Sequence, residues 1–179
     1  MKKTSFIFVL FCLLTSNAFA QKWNPERDNR QELAVAQVIL KAEEYNPELA
    51  EWFDTAYAYA VFPKVGKGGM GIGGAYGKGI VISNGVTVGK TSLSQLTFGF
   101  QLGGQIYSEY IFFKDSAAFG NFSRGNFEMG AQVSAVALTL GASFDASYDK
   151  GVAVFTLAEG GLMYEATIGG QKFTYRPLN

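Results

Sequence analysis

Three short patterns in this chain have the spacing of known chemistry. Gly69-x-Gly71-x-x-Gly74 has the form of a dinucleotide-binding turn, Gly89-Lys90-Thr91 has the form of the end of a phosphate-binding loop, and Ser147-x-x-Lys150 has the form of an acylating serine with its lysine. Each needs a particular context. A dinucleotide turn must run from a strand into a helix, whose N-terminus holds the pyrophosphate. Here the residues after Gly74, Ala75-Tyr76-Gly77-Lys78-Gly79-Ile80-Val81-Ile82, read as strand, and twenty residues on stands Ser94 rather than an acid. A phosphate loop needs a glycine five residues before Gly89, and that position is Asn84. An acylating serine must open a helix and be followed by a Lys-Thr-Gly strand. Ser147 lies near a strand turn, and Lys90-Thr91-Ser92 comes before it and lacks the glycine. Glu109, Glu128 and Glu165 sit in strand patterns where two could pair for acid–base work, but sequence spacing brings no two of them together.

Composition narrows the chemistry further. The chain has no histidine and one cysteine, Cys12. A zinc site of Cys and His, a Ser-His-Asp triad and a Cys-His dyad are therefore excluded. Lysine plus arginine equals aspartate plus glutamate at 15 each, so bulk charge does not favour nucleic acid. A hydrophobic content of 48% excludes disorder as the ground state. No catalytic constellation, metal set or cofactor motif emerges, and the expectation is a non-enzymatic chain with no cofactor.

The first twenty residues read as an address. Met1-Lys2-Lys3 is a basic start, Phe6 to Leu14 an apolar run, and Ala18-Phe19-Ala20 a cleavage site. The expectation is a signal peptide over 1–20, a single domain over 21–179, and a periplasmic or secreted location. Phe11 precedes Cys12 where a lipoprotein would carry a small residue, so lipidation is not expected. Past this segment the charge is segregated. Residues 21–60 carry net −4, residues 61–124 net +4 and residues 125–179 net −2. The basic middle, with Lys64, Lys67, Lys78 and Lys90, reads either as a patch for an anionic surface or as an ordinary solvated face.

The elements that would position these residues are helices first, then strands. Asp28 or Asn29 caps a helix to about Glu44, with Leu33, Ala36 and Leu40, beside Val35 and Ile39, as its apolar stripe. Asn46-Pro47 opens a second helix with Leu49, Trp52, Phe53 and Ala56 at i, i+3, i+4 and i+7. Acids decorate both helices. Period-two alternation then begins near Tyr57 and stops at Pro63. Gly66 to Gly104 holds 13 glycines and still alternates, turning at Ser83-Asn84-Gly85 and placing Leu96, Phe98, Phe100 and Leu102 on one face. A strand over 106–113 follows, then a short helix near 115–122 capped by Asp115. Further strands are expected at 127–140, 152–157, 162–168 and 172–175, with turns at Gly160-Gly161 and Gly169-Gly170. The fold class is α+β: two N-terminal helices packed on a strongly curved, mostly antiparallel sheet, sandwich-like or barrel-like, with one short helix inserted. A membrane barrel is the rival for such an alternating, exported chain.

Several glycine- and aromatic-rich runs occur in a particular order. They are Phe62-Pro63-Lys64-Val65-Gly66-Lys67-Gly68-Gly69, Gly73-Gly74-Ala75-Tyr76-Gly77-Lys78-Gly79, Thr97-Phe98-Gly99-Phe100-Gln101-Leu102-Gly103-Gly104-Gln105, Ile111-Phe112-Phe113, Gly151-Val152-Ala153-Val154-Phe155-Thr156 and Gly160-Gly161-Leu162-Met163-Tyr164-Glu165-Ala166. In this order, over about 34–177, the chain resembles the SYLF domain family in its bacterial, exported branch. The resemblance implies a non-enzymatic lipid-binding domain. Its expected partner is a phospholipid membrane surface, most simply an anionic one. Actin, which eukaryotic members meet, is not expected for an exported chain, and neither is nucleic acid. Lys64, Lys67 and Lys78 lie in the matching stretches, Lys90 adds to the same basic middle, and Phe62 and Tyr76 beside them are the candidates for apolar contact. An envelope protein bound through the sheet or the acidic helices is the alternative partner.

Overall fold

Strands that alternate along the chain and are hydrophobic on both faces must be covered twice. The computed structural model, which describes residues 22–70, 72–98, 103–124, 128–129, 136–137, 148–159 and 170–178, shows both covers. The elements run α1 (Arg30–Tyr45), α2 (Leu49–Thr55), β1 (Ala58–Met70), β2 (Ile72–Ser83), β3 (Val86–Phe98), β4 (Gly103–Phe113), α3 (Ser116–Ser123), β5 (Glu128–Met129), β6 (Val136–Ala137), β7 (Val152–Ala158) and β8 (Gln171–Pro177). They form one sheet in the order β5-β8-β3-β2-β1-β4-β7-β6. Every pairing is antiparallel except the short β6–β7 contact. The α+β class with helices ahead of a mostly antiparallel sheet is as the alternation predicts. The sheet is strongly curved but is not closed into a barrel. The segments 1–20, 160–169 and most of 127–147, on which the address and two expected strands fall, lie outside the described residues.

One face of the sheet is covered by α1 and α2. Val35 and Ala42 of α1 and Leu49 of α2 are fully buried against Tyr59, Val61, Ile80, Ile82, Tyr110, Phe112 and Phe155. Trp52 and Phe53 lie on Phe112 at ring separations of 5.5 and 5.0 Å. The buried side of α1 is not the Leu33/Ala36/Leu40 line: Leu40 is 66% exposed. The helix is turned so that Glu32 faces in, because its carboxylate accepts from the Glu26 backbone N–H at 2.7 Å and from the Thr87 hydroxyl at 2.8 Å. Polar satisfaction at the first turn thus decides which apolar residues are buried. Asn29, not Asp28, is the cap, accepting from the N–H groups of Gln31 and Glu32. Asn46 takes the Glu48 N–H at 3.0 Å, but α2 proper begins only at Leu49.

The opposite face is concave and holds α3. Asp115 caps α3 through the Ala118 N–H at 2.8 Å. Phe122 then sits between Phe113 at 4.8 Å and Phe173 at 5.5 Å. The curvature is plain from one contact. Gln171 of β8 donates to Glu109 of β4 at 3.0 Å, although three strands separate β8 and β4 in the sheet order.

Pro63 does not end β1. The register shifts between Val61 and Lys64 against β2, and between Phe62 and Val65 against β4. Proline has no N–H to give the ladder, and a bulge is where a strand tolerates it. The extra residue flips the alternation. Phe62 and Val65 face the same core, and Lys64 and Gly66 are turned to the outside. Asn84 and Gly85 make the β2–β3 turn with φ of 50° and 73°, the left-handed pair that a tight hairpin needs.

Candidate functional site

On β2 the helix-side face is buried at Ile80 and Ile82, then emerges at Lys78 and Tyr76, where α1 ends its cover. Gln31 marks that border, its side-chain amide donating to the Gly79 carbonyl at 3.2 Å. Beyond it lies an open groove of about 480 Å³ lined by Gln31, Pro63, Lys64, Tyr76 and Lys78. Lys64 and Lys78 are direct cross-strand partners. Opposed side chains in such a pair start from Cβ atoms ~5 Å apart, and like charges there are unfavourable. In the next rows of the same face stand Tyr76, 55% exposed, and Leu96, 73% exposed, with Ile106 also exposed. Lys90 pairs with Ile80 and Arg176, and is exposed on this face as well.

The six residues expected to act together therefore divide. Lys64, Lys78, Lys90 and Tyr76 share the outer face. Lys67 pairs with Ala75 and lies, with Val65, on the α3 side of β1. Phe62 is fully buried and stacks on Phe173 at 5.8 Å, so it is a core residue rather than a surface contact. Leu96, read from the sequence as one member of an apolar face, is the most exposed large apolar side chain of this surface.

The chemical motifs fall where their context fails. Gly69 and Gly74 lie in the β1–β2 hairpin, paired with Gly73 and Gly68, with no helix after them. Gly89-Lys90-Thr91 is mid-strand in β3. Ser147 and Glu165 lie outside the described residues, and Glu128 pairs in register with Lys172. Among the described residues no three His, Cys, Asp or Glu side chains gather as a metal set. No helix there is long and apolar enough to cross a membrane.

Glu109, one of the three strand glutamates named from the sequence, stands apart from the basic groove. It is fully buried on the concave face, opposite Phe62 and Thr156. Burial pushes its carboxyl up to about 8, partly countered by the Gln171 hydrogen bond. Its Oε1, the Thr156 hydroxyl and the Gln171 Oε1 have no hydrogen-bond partner among the described residues. Tyr107, two residues earlier on the same face, is raised by burial and then by the Glu109 charge. An acid in alternation with Tyr107 and Ile111 was the available signal, because it places a carboxylate on a core face.

Comparison with known proteins bears on this architecture. Residues 94–177 match the model of the Ysc84 family, described as "Las17-binding protein actin regulator". Over that span the chain is similar to the Ysc84, or SYLF, family, as the ordered glycine- and aromatic-rich runs suggest. It is also 28% identical over 158 residues to Beta cell expansion factor A of Aeromonas veronii, an alignment covering 84% of this chain. The chain spans 59% of that relative's length. The matched SYLF segment contains β4, α3, β7, β8 and the buried Glu109–Gln171 contact. The lysine groove on β1 and β2 precedes it. SYLF is a family of binding domains rather than of enzymes.

Proposed function

We propose that this chain binds the surface of an anionic phospholipid membrane through the outer face of β1–β3. The observation that carries the reading is the Lys64–Lys78 pair. Two cations opposed across adjacent strands oppose folding by a few tenths of a kcal/mol up to about 1 kcal/mol. An anion bridging them removes that repulsion. Exposed Tyr76 and Leu96 beside the pair add apolar contact that a purely electrostatic patch lacks. Each lysine near an anionic surface is worth ~1 kcal/mol and fades beyond a Debye length, so the apolar residues are needed for useful affinity.

The reading includes export, supported by the basic, apolar and Ala-x-Ala pattern of residues 1–20. Actin regulation, which the family's description names, is not part of it. Co-sedimentation with vesicles tests it. Reversing both lysines, Lys64→Glu with Lys78→Glu, removes ~2 kcal/mol of attraction and adds repulsion, a loss of at least about thirtyfold in vesicle affinity. Lys67→Glu, on the other face of the same strand, leaves binding unchanged. Equal effects from the two changes would overturn the proposal.

A further inference from the structure

A second concavity has the opposite electrostatic character. It lies between the N-terminal segment, α1, the end of α2, β1 and the Asn84–Gly85 turn, and its cavity volume is about 70 Å³. That is far below the ~300 Å³ or more of a site for a drug-sized ligand, so it admits only a small head group. Trp23, Phe53 and Tyr59 supply aromatic surface, and Glu43 and Asp54 supply two carboxylates against the one cation Lys22. The walls are held in place. The Trp23 indole N–H donates to the Thr87 hydroxyl at 3.1 Å, and that hydroxyl donates to buried Glu32. Phe53 stands edge-on to Tyr59 at 5.2 Å.

Tyr59 points to the occupant. Tyr59 is only 7% exposed and lines the cleft together with Glu43 and Asp54. Burial, and then the charges of Asp54 and Glu43, raise the pKa of its hydroxyl. A phenol oxygen, two carboxylates and aromatic rings lining one cleft are a set that complements a positive, N–H- or N–CH₃-bearing group. We propose that this cleft binds a small organic ammonium, seated against Trp23, Phe53 and Tyr59 and neutralised by Glu43 and Asp54. Both a free amine and the amine of a lipid headgroup carry this chemistry. The inference does not rest on the membrane reading, because a soluble amine suffices to test it.

The test is NMR titration of the full chain with ethanolamine and with choline, against sodium chloride at equal ionic strength. The Trp23 indole N–H is the reporter. The cleft predicts a saturable shift with at least one of the two amines that sodium does not produce. It also predicts a midpoint about twofold to twenty-five-fold higher in the Glu43→Gln/Asp54→Asn variant, since each exposed or half-exposed carboxylate contributes roughly 1.4- to fivefold. Asp54 is exposed and Glu43 half-exposed, so the variant keeps its spectrum away from the cleft. A shift no larger than sodium's, or an unchanged midpoint in the variant, overturns the inference. The source is separated with the Lys64→Glu/Lys78→Glu protein, which removes the basic patch. Retention on phosphatidylethanolamine-containing vesicles, displaced by free ethanolamine, identifies a lipid headgroup. A positive titration without retention identifies a soluble amine.

Discussion

Replacing Glu109 by glutamine removes a pH dependence that the native fold carries. Glu109 is fully buried, and its carboxyl titrates near 8 instead of the ordinary 4.5 because burial penalises the charge. In the unfolded chain it ionises near 4.5. Its contribution is therefore complete below about pH 4.5, falls as pH rises while only the unfolded chain releases its proton, and levels off above about pH 8. Each pH unit across that window costs at most about 1.4 kcal/mol, so stability drops by roughly 2–3 kcal/mol between pH 6 and pH 8. The window is clean because the chain has no histidine, and ordinary carboxylates have finished titrating by about pH 6. Tyr59, Tyr107 and Tyr110 are all raised by burial and stay protonated throughout. Glutamine keeps the shape and can accept the Gln171 hydrogen bond that Glu109 accepts now. Urea unfolding followed by tryptophan fluorescence at pH 6, 7 and 8 measures both proteins. The expected result is a falling stability for wild type and a flat one for Glu109→Gln, with the variant the more stable at pH 8. The same slope in both proteins would refute the argument that Glu109 is held neutral.

Two further substitutions test how the sheet holds its covers. Tyr110→Phe removes the hydroxyl that donates to the Val38 carbonyl of α1 at 2.8 Å, and lowers stability by about 1 kcal/mol in urea unfolding. Gly79→Ala places a methyl against the Val61 carbonyl and the Phe62 ring beside the bulge, and lowers stability by roughly 1–3 kcal/mol. In a thermal melt the Gly79 variant unfolds below wild type; an unchanged melting temperature would show that β1 yields there without strain.

The parts of the fold governed by local chemistry were readable from the residues. The Asp115 cap and the Asn84-Gly85 turn each depend on a few neighbouring residues, and each appears as the spacing predicts. Three features depend on contacts distant in sequence. The rotation of α1 follows from Glu32 meeting Thr87, fifty-five residues away, which leaves Leu33 and Leu40 outside. The passage of β1 through Pro63 depends on a bulge against both neighbours. That bulge also decides the site. With unbroken alternation Lys64 would share a face with Phe62, whereas the extra residue turns Lys64 out beside Lys78 and leaves Lys67 on the α3 side. Residue type and spacing could nominate the lysines, but only the register could sort them. Glu109 was visible as an acid within an apolar alternation, and its pairing with Gln171 became visible only once the sheet curled.

The central claim is that one face of β1–β3 meets an anionic lipid surface. Co-sedimentation of residues 21–179 with phosphatidylglycerol vesicles and with neutral vesicles, at ~50 and ~300 mM salt, tests it most directly, since screening changes strongly over that range. The account predicts retention on anionic vesicles alone, weakened by salt, lost in Lys64→Glu/Lys78→Glu and kept in Lys67→Glu. Retention that ignores salt, or that falls equally in the Lys67 variant, would contradict it.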